Sequence, residues 1–122
     1  MVRWLLVVAW MGTIFFLSAQ PDLPHPSSGW LDLVISSAAH LFMFAVLAIL
    51  WARALGRGRR AWLIAVALTC LYALSDEFHQ LFVPGRHADP LDLAFDALGA
   101  ALGVTGWVWL ERRIWISPKS RS

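Results

Sequence analysis

Four long apolar runs separated by short polar stretches dominate the chain, and their spacing predicts four helices. The runs extend roughly from Trp4 to Ala19, Leu33 to Leu55, Ala61 to Val83 and Leu91 to Leu110. A helix of about 20 residues, rising about 1.5 Å per residue, crosses a hydrocarbon core of about 30 Å. The first run is shorter, and loop residues or local bilayer thinning would make up the difference. Pro21, Pro24 and Pro26 mark a turn-rich connection after it. Pro84-Gly85 is expected to stop the third helix, because proline cannot continue the hydrogen-bond ladder. The fourth then starts with Asp89 as N-cap, Pro90 at the first helical position and Asp92 in the first turn. The pattern predicts an all-α integral membrane four-helix bundle, one transmembrane domain over residues 1–122.

Composition agrees with that reading: 59% of residues are hydrophobic and 15% charged. Soluble domains average about 25% charged. The distribution of charge adds an orientation. Arg3, the group Arg53, Arg57, Arg59 and Arg60, and the tail residues Arg112, Arg113, Lys119 and Arg121 all lie on one side. Only Arg86 lies on the other, together with every acid except Glu111. Cytoplasmic loops carry the Lys/Arg excess, so an N-in/C-in topology is expected. Seven of the eight tryptophans, all but Trp30, fall in or beside the cytoplasmic halves, as amphipathic rings at headgroup level do. The basic stretch Arg53–Arg60 is flanked by apolar segments. It reads as a topology signal touching anionic headgroups, and no nucleic-acid partner is expected. Cys70 stands alone in an apolar run and makes neither a disulfide framework nor a metal motif. The first run is bulky in Trp and Phe and lacks a small-x-small site before Pro21, so it is expected to remain as an anchored helix.

Against this apolar background the ionisable groups collect at one level. Thr69, Tyr72, Asp76, His79 and Val83 recur at 3-4-3-4 spacing and share a helix face, with Glu77 and Gln80 on the adjoining stripe. Asp76 lies about 22 Å along the axis from Ala61, within the outer part of a bilayer. Lipid cannot accept these groups, so the face should point into the bundle. In the fourth run Asp92, Asp96, Gly99, Gly103 and Gly106 follow 4-3-4-3 spacing, and the Gly99/Gly103 pair is a small-xxx-small contact. Carboxylates at i and i+4 repel unless a cation, a proton or a donor lies between them. His40 in the second run, Ser18 and Gln20 at the end of the first, and Arg86 in the third connection complete an outer-face set.

Several chemistries are open to these residues. His79 with Asp76 or Glu77 could act as an oriented general base. His40, Asp76, Glu77, His79 and Asp96 could instead hold a divalent metal, though their spacing matches no specific ligand motif. Gln80 adds a hydrogen-bonding amide. Arg86 could hold a phosphate or carboxylate bidentately, with Asp92, Asp96, Ser18 and Gln20 lining a binding site. Simpler roles exist too: Asp89 as a cap, Asp92 favouring the helix dipole, and Ser18 and Gln20 satisfying carbonyls at a helix end. A carrier would need polar groups across the whole membrane, and the inner half is apolar unless the chain forms homo-oligomers. A structural or regulatory subunit docking a partner through the cluster is the further alternative.

The string LYALSDEFHQLFVPGRHADPLDLAFDALGAALG (Leu71–Gly103), with FFLSAQP (Phe15–Pro21) upstream and His40 in the second run, resembles the VanZ-like family. The similarity covers nearly the whole chain. It implies a protein of the bacterial cytoplasmic membrane with a role at the cell envelope, acting on or binding a lipid-linked or anionic component. The founding member of that family is tied to resistance to the glycopeptide antibiotic teicoplanin. The matching positions are Ser18, Gln20, His40, Asp76, Glu77, His79, Gln80, Arg86 and Asp92. The chain departs from the family at Ser37, where Lys is frequent, at Phe44, where Tyr is frequent, and at Asp96, where Asn is frequent. An Asn/Asp exchange argues for a hydrogen-bonding role at Asp96 over obligate metal ligation.

Overall fold

The computed structural model describes residues 1–21 and 29–116. Pro24 and Pro26 of the first connection, and Lys119 and Arg121 of the tail, lie outside the described residues. Four helices follow in order: α1 (Val2–Ser18), α2 (Trp30–Leu55), α3 (Arg59–Gln80) and α4 (Pro90–Ile116). There is no strand among the described residues. The architecture is a helical bundle, as the four apolar runs require. The expected boundaries hold within a few residues except at two places. Helix α3 ends at Gln80, ahead of Pro84-Gly85, because the chain tightens into successive turns over 81–83, with Phe82 and Val83 amides bonded to the His79 and Gln80 carbonyls. Helix α4 runs six residues past Leu110, to Ile116.

Local chemistry sets the ends. Asp32 in the first turn of α2 and Arg53 in its last turn both favour the helix dipole. The link from α2 to α3 is only Gly56-Arg57-Gly58, and both glycines adopt positive φ (101° and 116°). That left-handed pair reverses the chain in three residues, which side chains with a Cβ resist. At the start of α4 the Asp89 Oδ1 accepts the Leu91 N–H at 2.9 Å, so the expected cap is present.

Helix α2 is the centre of the bundle and packs against all three others. Its contact with α4 is the most extensive, because Gly99 and Gly103 remove the side chains that would hold the two backbones apart. A Cβ on Gly99 would overlap the Leu41 carbonyl, and one on Gly103 would lie 2.5 Å from the Ala45 carbonyl oxygen. Gly106, expected on the same stripe, is exposed with nothing within 4 Å, because the stripe has rotated off the α2 contact by that turn. Ala48, Ala52, Ala65, Ala100 and Val104 fill the narrow space between α2, α3 and α4. Val7, Ile14, Phe44, Leu47 and Ala73 form the second core, where α1 joins. Two side-chain bonds hold α1: Trp10 Nε1–H to the Met43 carbonyl at 2.9 Å, and Tyr72 O–H to the Met11 carbonyl at 2.6 Å.

The outside of the bundle is apolar. Phe42, Leu63, Leu71 and Leu102 are each more than half exposed, on three different helices. Helices α2, α3 and α4 are long and apolar enough to cross a membrane. Helix α1 has 17 residues, about 26 Å of helix, and falls short of a full hydrocarbon core. With every backbone bond made inside a helix, such a surface suits lipid.

The glycine contact yields a test with an internal control. Gly99→Ala and Gly103→Ala should each lower stability by about 1–3 kcal/mol through overpacking. Gly106→Ala should leave the melting temperature in detergent unchanged or slightly raised. Equal behaviour of all three variants would contradict the close α2/α4 contact.

Candidate functional site

The α2/α4 contact brings His40 against the two acids of α4. His40 Nδ1 lies 2.8 Å from Asp96 Oδ1, and His40 Nε2 lies 3.8 Å from Asp92 Oδ2. One imidazole thus stands between carboxylates at i and i+4, where a donor was expected. His40 is buried and Asp96 fully so (0% exposed). A carboxylate only accepts hydrogen bonds, so with Asp96 ionised the short contact is one that an Nδ1–H of His40 donates. Phe44, one turn on, lies parallel to the imidazole at 6.3 Å and closes the space beneath it.

Helix α3 supplies the opposite wall. Asp76, Glu77 and Gln80 are all buried, so the polar face points into the bundle as lipid exclusion demands. Gln80 Nε2 donates to Asp76 Oδ2 at 3.3 Å, and the buried Ser18 hydroxyl of α1 lies within reach of the same carboxylate. Glu77 Oε2 accepts the Asp89 N–H at 2.9 Å and so ties the 81–89 connection to α3. The remaining oxygens, Asp76 Oδ1, Glu77 Oε1 and Asp96 Oδ2, are buried with no partner among the described residues. Buried polar atoms are nearly always paired, and each orphan costs about 1–3 kcal/mol. Three orphaned carboxylate oxygens around one histidine mark a place built for a proton, a cation or a donor-bearing ligand.

Not every expected residue joins this cluster. His79 is half-buried and stacks on Phe15 of α1, with ring centroids 4.4 Å apart and planes 11° from parallel. Its Nδ1 is buried without a partner among the described residues. His40 is the histidine bonded to an acid here, through Asp96, while His79 stacks on Phe15 and stays electrostatically close to Asp76. The Gln20 side chain is exposed and turns back to the Phe16 carbonyl at 2.9 Å. Arg86 Nε donates to the Gln20 carbonyl at 3.1 Å, so Arg86 clasps the end of α1. Ser37, noted from sequence only as a departure from the family pattern, is buried one turn before His40, and its hydroxyl has no partner among the described residues; its i−3 spacing from the histidine was the signal for a place in the site.

A metal-ligand set is also present. His40, Glu77 and Asp96 each offer an atom, all within 4.8 Å of one another. The donor set of one imidazole and two carboxylates suits Zn or Mn, and a cation there would satisfy Glu77 Oε1 and Asp96 Oδ2. Asp76 and His79, the other two residues considered from sequence, fall outside this set of mutually close atoms.

A family model described as VanZ/LLP1 matches residues 3–111, nearly all of the chain and every residue of this cluster. The chain belongs to the VanZ/LLP1 family. No curated protein and no solved structure matches it. Within this VanZ/LLP1 bundle, family membership and the three long apolar helices agree on a membrane protein.

Two measurements probe the cluster. Asp96→Ala should destabilise the fold by about 1–3 kcal/mol by orphaning the His40 N–H, while Asp96→Asn, which keeps an acceptor oxygen, should cost less. In an Asp96/His40 double-mutant cycle the two alanine effects should be less than additive. For the metal set, chelator treatment of purified protein should lower the melting temperature of the wild type and leave Glu77→Gln unaffected. Identical melting with and without chelator would rule out a bound divalent cation.

Proposed function

We propose that this VanZ/LLP1 protein lies in the bacterial cytoplasmic membrane with both termini in the cytoplasm. At the outer end of the bundle it binds or acts on a lipid-linked or anionic component of the cell envelope. The observation that carries the reading is the buried His40–Asp96 hydrogen bond, 2.8 Å long, beside carboxylate oxygens with no partner among the described residues.

The charge pattern suggests how such a ligand would lie. Asp76, Glu77, Asp92 and Asp96 leave the cluster with an acidic excess over His40, so its natural guests are hydroxyl, amide or ammonium donors. A phosphate or carboxylate of the same molecule would meet Arg86 instead, at the mouth between α1 and the 81–89 connection. A lipid-linked molecule with an anionic linker and a donor-rich head carries both features. His40, with Nδ1 held by Asp96, presents Nε2 toward Asp92 and is the group placed to take or give a proton. The tie between the family's founding member and teicoplanin extends the reading to glycopeptide resistance.

The test uses the protein in lipid nanodiscs titrated with a polyprenyl-pyrophosphate-linked wall precursor. Binding is expected for the wild type, weakened about tenfold or more by His40→Ala, Glu77→Ala and Arg86→Ala at unchanged helicity. Affinities equal to the wild type in all three variants would remove the cluster from the function. In cells, wild-type expression should raise the teicoplanin inhibitory concentration, and no rise would end the resistance link. Reporter fusions at the C-terminus and within 81–89 should read inside and outside respectively.

A further inference from the structure

The opposite end of the bundle holds a second polar site, built from different residues. Arg3 of α1, Arg53 of α2 and Arg57 of the α2–α3 link line a cavity of about 250 Å³ with Trp107, Glu111 and Trp115 of α4. That volume lies just below the roughly 300–1,000 Å³ of drug-sized ligand pockets and suits a headgroup-sized guest.

Three guanidinium groups share this cavity with one carboxylate. Among the described residues only Arg57 has a carboxylate partner, Glu111, and its Nε–Oε2 separation is 4.0 Å. Arg3 Nη1 donates to the Arg53 carbonyl at 3.2 Å, which satisfies a helix-end acceptor but neutralises no charge. Like charges drawn together repel unless something of opposite sign lies between them. The arginines are nonetheless held in place. The Arg53 guanidinium sits 5.4 Å from the centroid of Trp107, and that of Arg57 sits 4.6 Å from the centroid of Trp115. Stacking on an aromatic face fixes the plane of a guanidinium while leaving its N–H edge free to donate. Two such edges, with Arg3 opposite, form a fork suited to the oxygens of a phosphate.

The surroundings favour a lipid over a free ion. Two of the helices that line the cavity also carry exposed apolar side chains within two residues of lining positions: Val2 and Leu5 beside Arg3 on α1, and Leu110 and Ile114 beside Glu111 and Trp115 on α4. Tryptophans prefer headgroup depth, which sets the guanidinium groups level with lipid phosphates. We propose that this cavity is a binding site for a phosphate-bearing anion, the headgroup of an anionic membrane lipid, held by Arg3, Arg53 and Arg57. Its acyl chains lie along the apolar faces of α1 and α4. Basic pockets between membrane helices recognise anionic headgroups by this charge complementarity. The site is separate from the His40 cluster and stands whether or not that cluster binds an envelope component.

Native mass spectrometry of the full chain, delipidated and titrated with phosphatidylglycerol, phosphatidylcholine or inorganic phosphate, tests the proposal. Phosphatidylglycerol should bind in preference to phosphatidylcholine, and Arg53→Ala/Arg57→Ala should weaken it by about tenfold or more. Arg113→Ala is the charge-matched control, because Arg113 stacks on Trp109 outside the cavity. It should bind as the wild type does. Equal affinity for the two lipids, or an equal loss in Arg113→Ala, would overturn the site. Inorganic phosphate binding that depends on the same arginines, without lipid preference, would overturn the lipid assignment. Should the double variant fail to fold, Arg3→Gln carries the same expectation and the same power to refute.

Discussion

The close approach of α2 and α4 is the constraint on which the rest of the bundle depends. Two glycines one turn apart let the α4 backbone touch the Leu41 and Ala45 carbonyls. Gly99 lies three residues past Asp96, so the same contact that seats the glycines seats Asp96 against His40. Had either glycine carried a larger side chain, the helices would separate and the buried imidazole would lose its acceptor. Packing and chemistry are therefore fixed by a single interface, with van der Waals contact holding open-ended polar groups in a place they would not choose alone.

Much of this was legible in the chain. The four apolar runs, the cap at Asp89-Pro90 and the inward face of α3 follow from period and from the cost of placing charge in lipid. So does the expectation that something must separate Asp92 from Asp96. Which group does so was not legible, because helical spacing relates residues on one helix and says nothing of the rotation of its neighbour. His79 was the attractive histidine for that reason: it shares a helix with Asp76 and Glu77. Its ring instead covers Phe15, and the distant His40 takes the acidic partner. Gln20 shows the same limit, since a helix-end amide can turn to its own backbone. At the end of α3 the bonds tighten to i→i−3 from Leu81 to Val83, and Pro84 follows at once, so the helix frays over its last turn before the proline.

The two ends of the molecule solve opposite electrostatic problems. One gathers carboxylates around a single imidazole. The other gathers guanidinium groups and steadies them on indole rings. The apolar middle, with its alanine-rich core, separates the two by about half the length of α2 and α4 and lets each keep its own polarity.

Glu77 divides its two oxygens between architecture and chemistry. One grips the backbone amide of Asp89, the residue that opens α4, and the other faces the cavity unclaimed. A single side chain thus borders the polar cluster and at the same time anchors the residue that caps α4, so its removal would disturb both places at once.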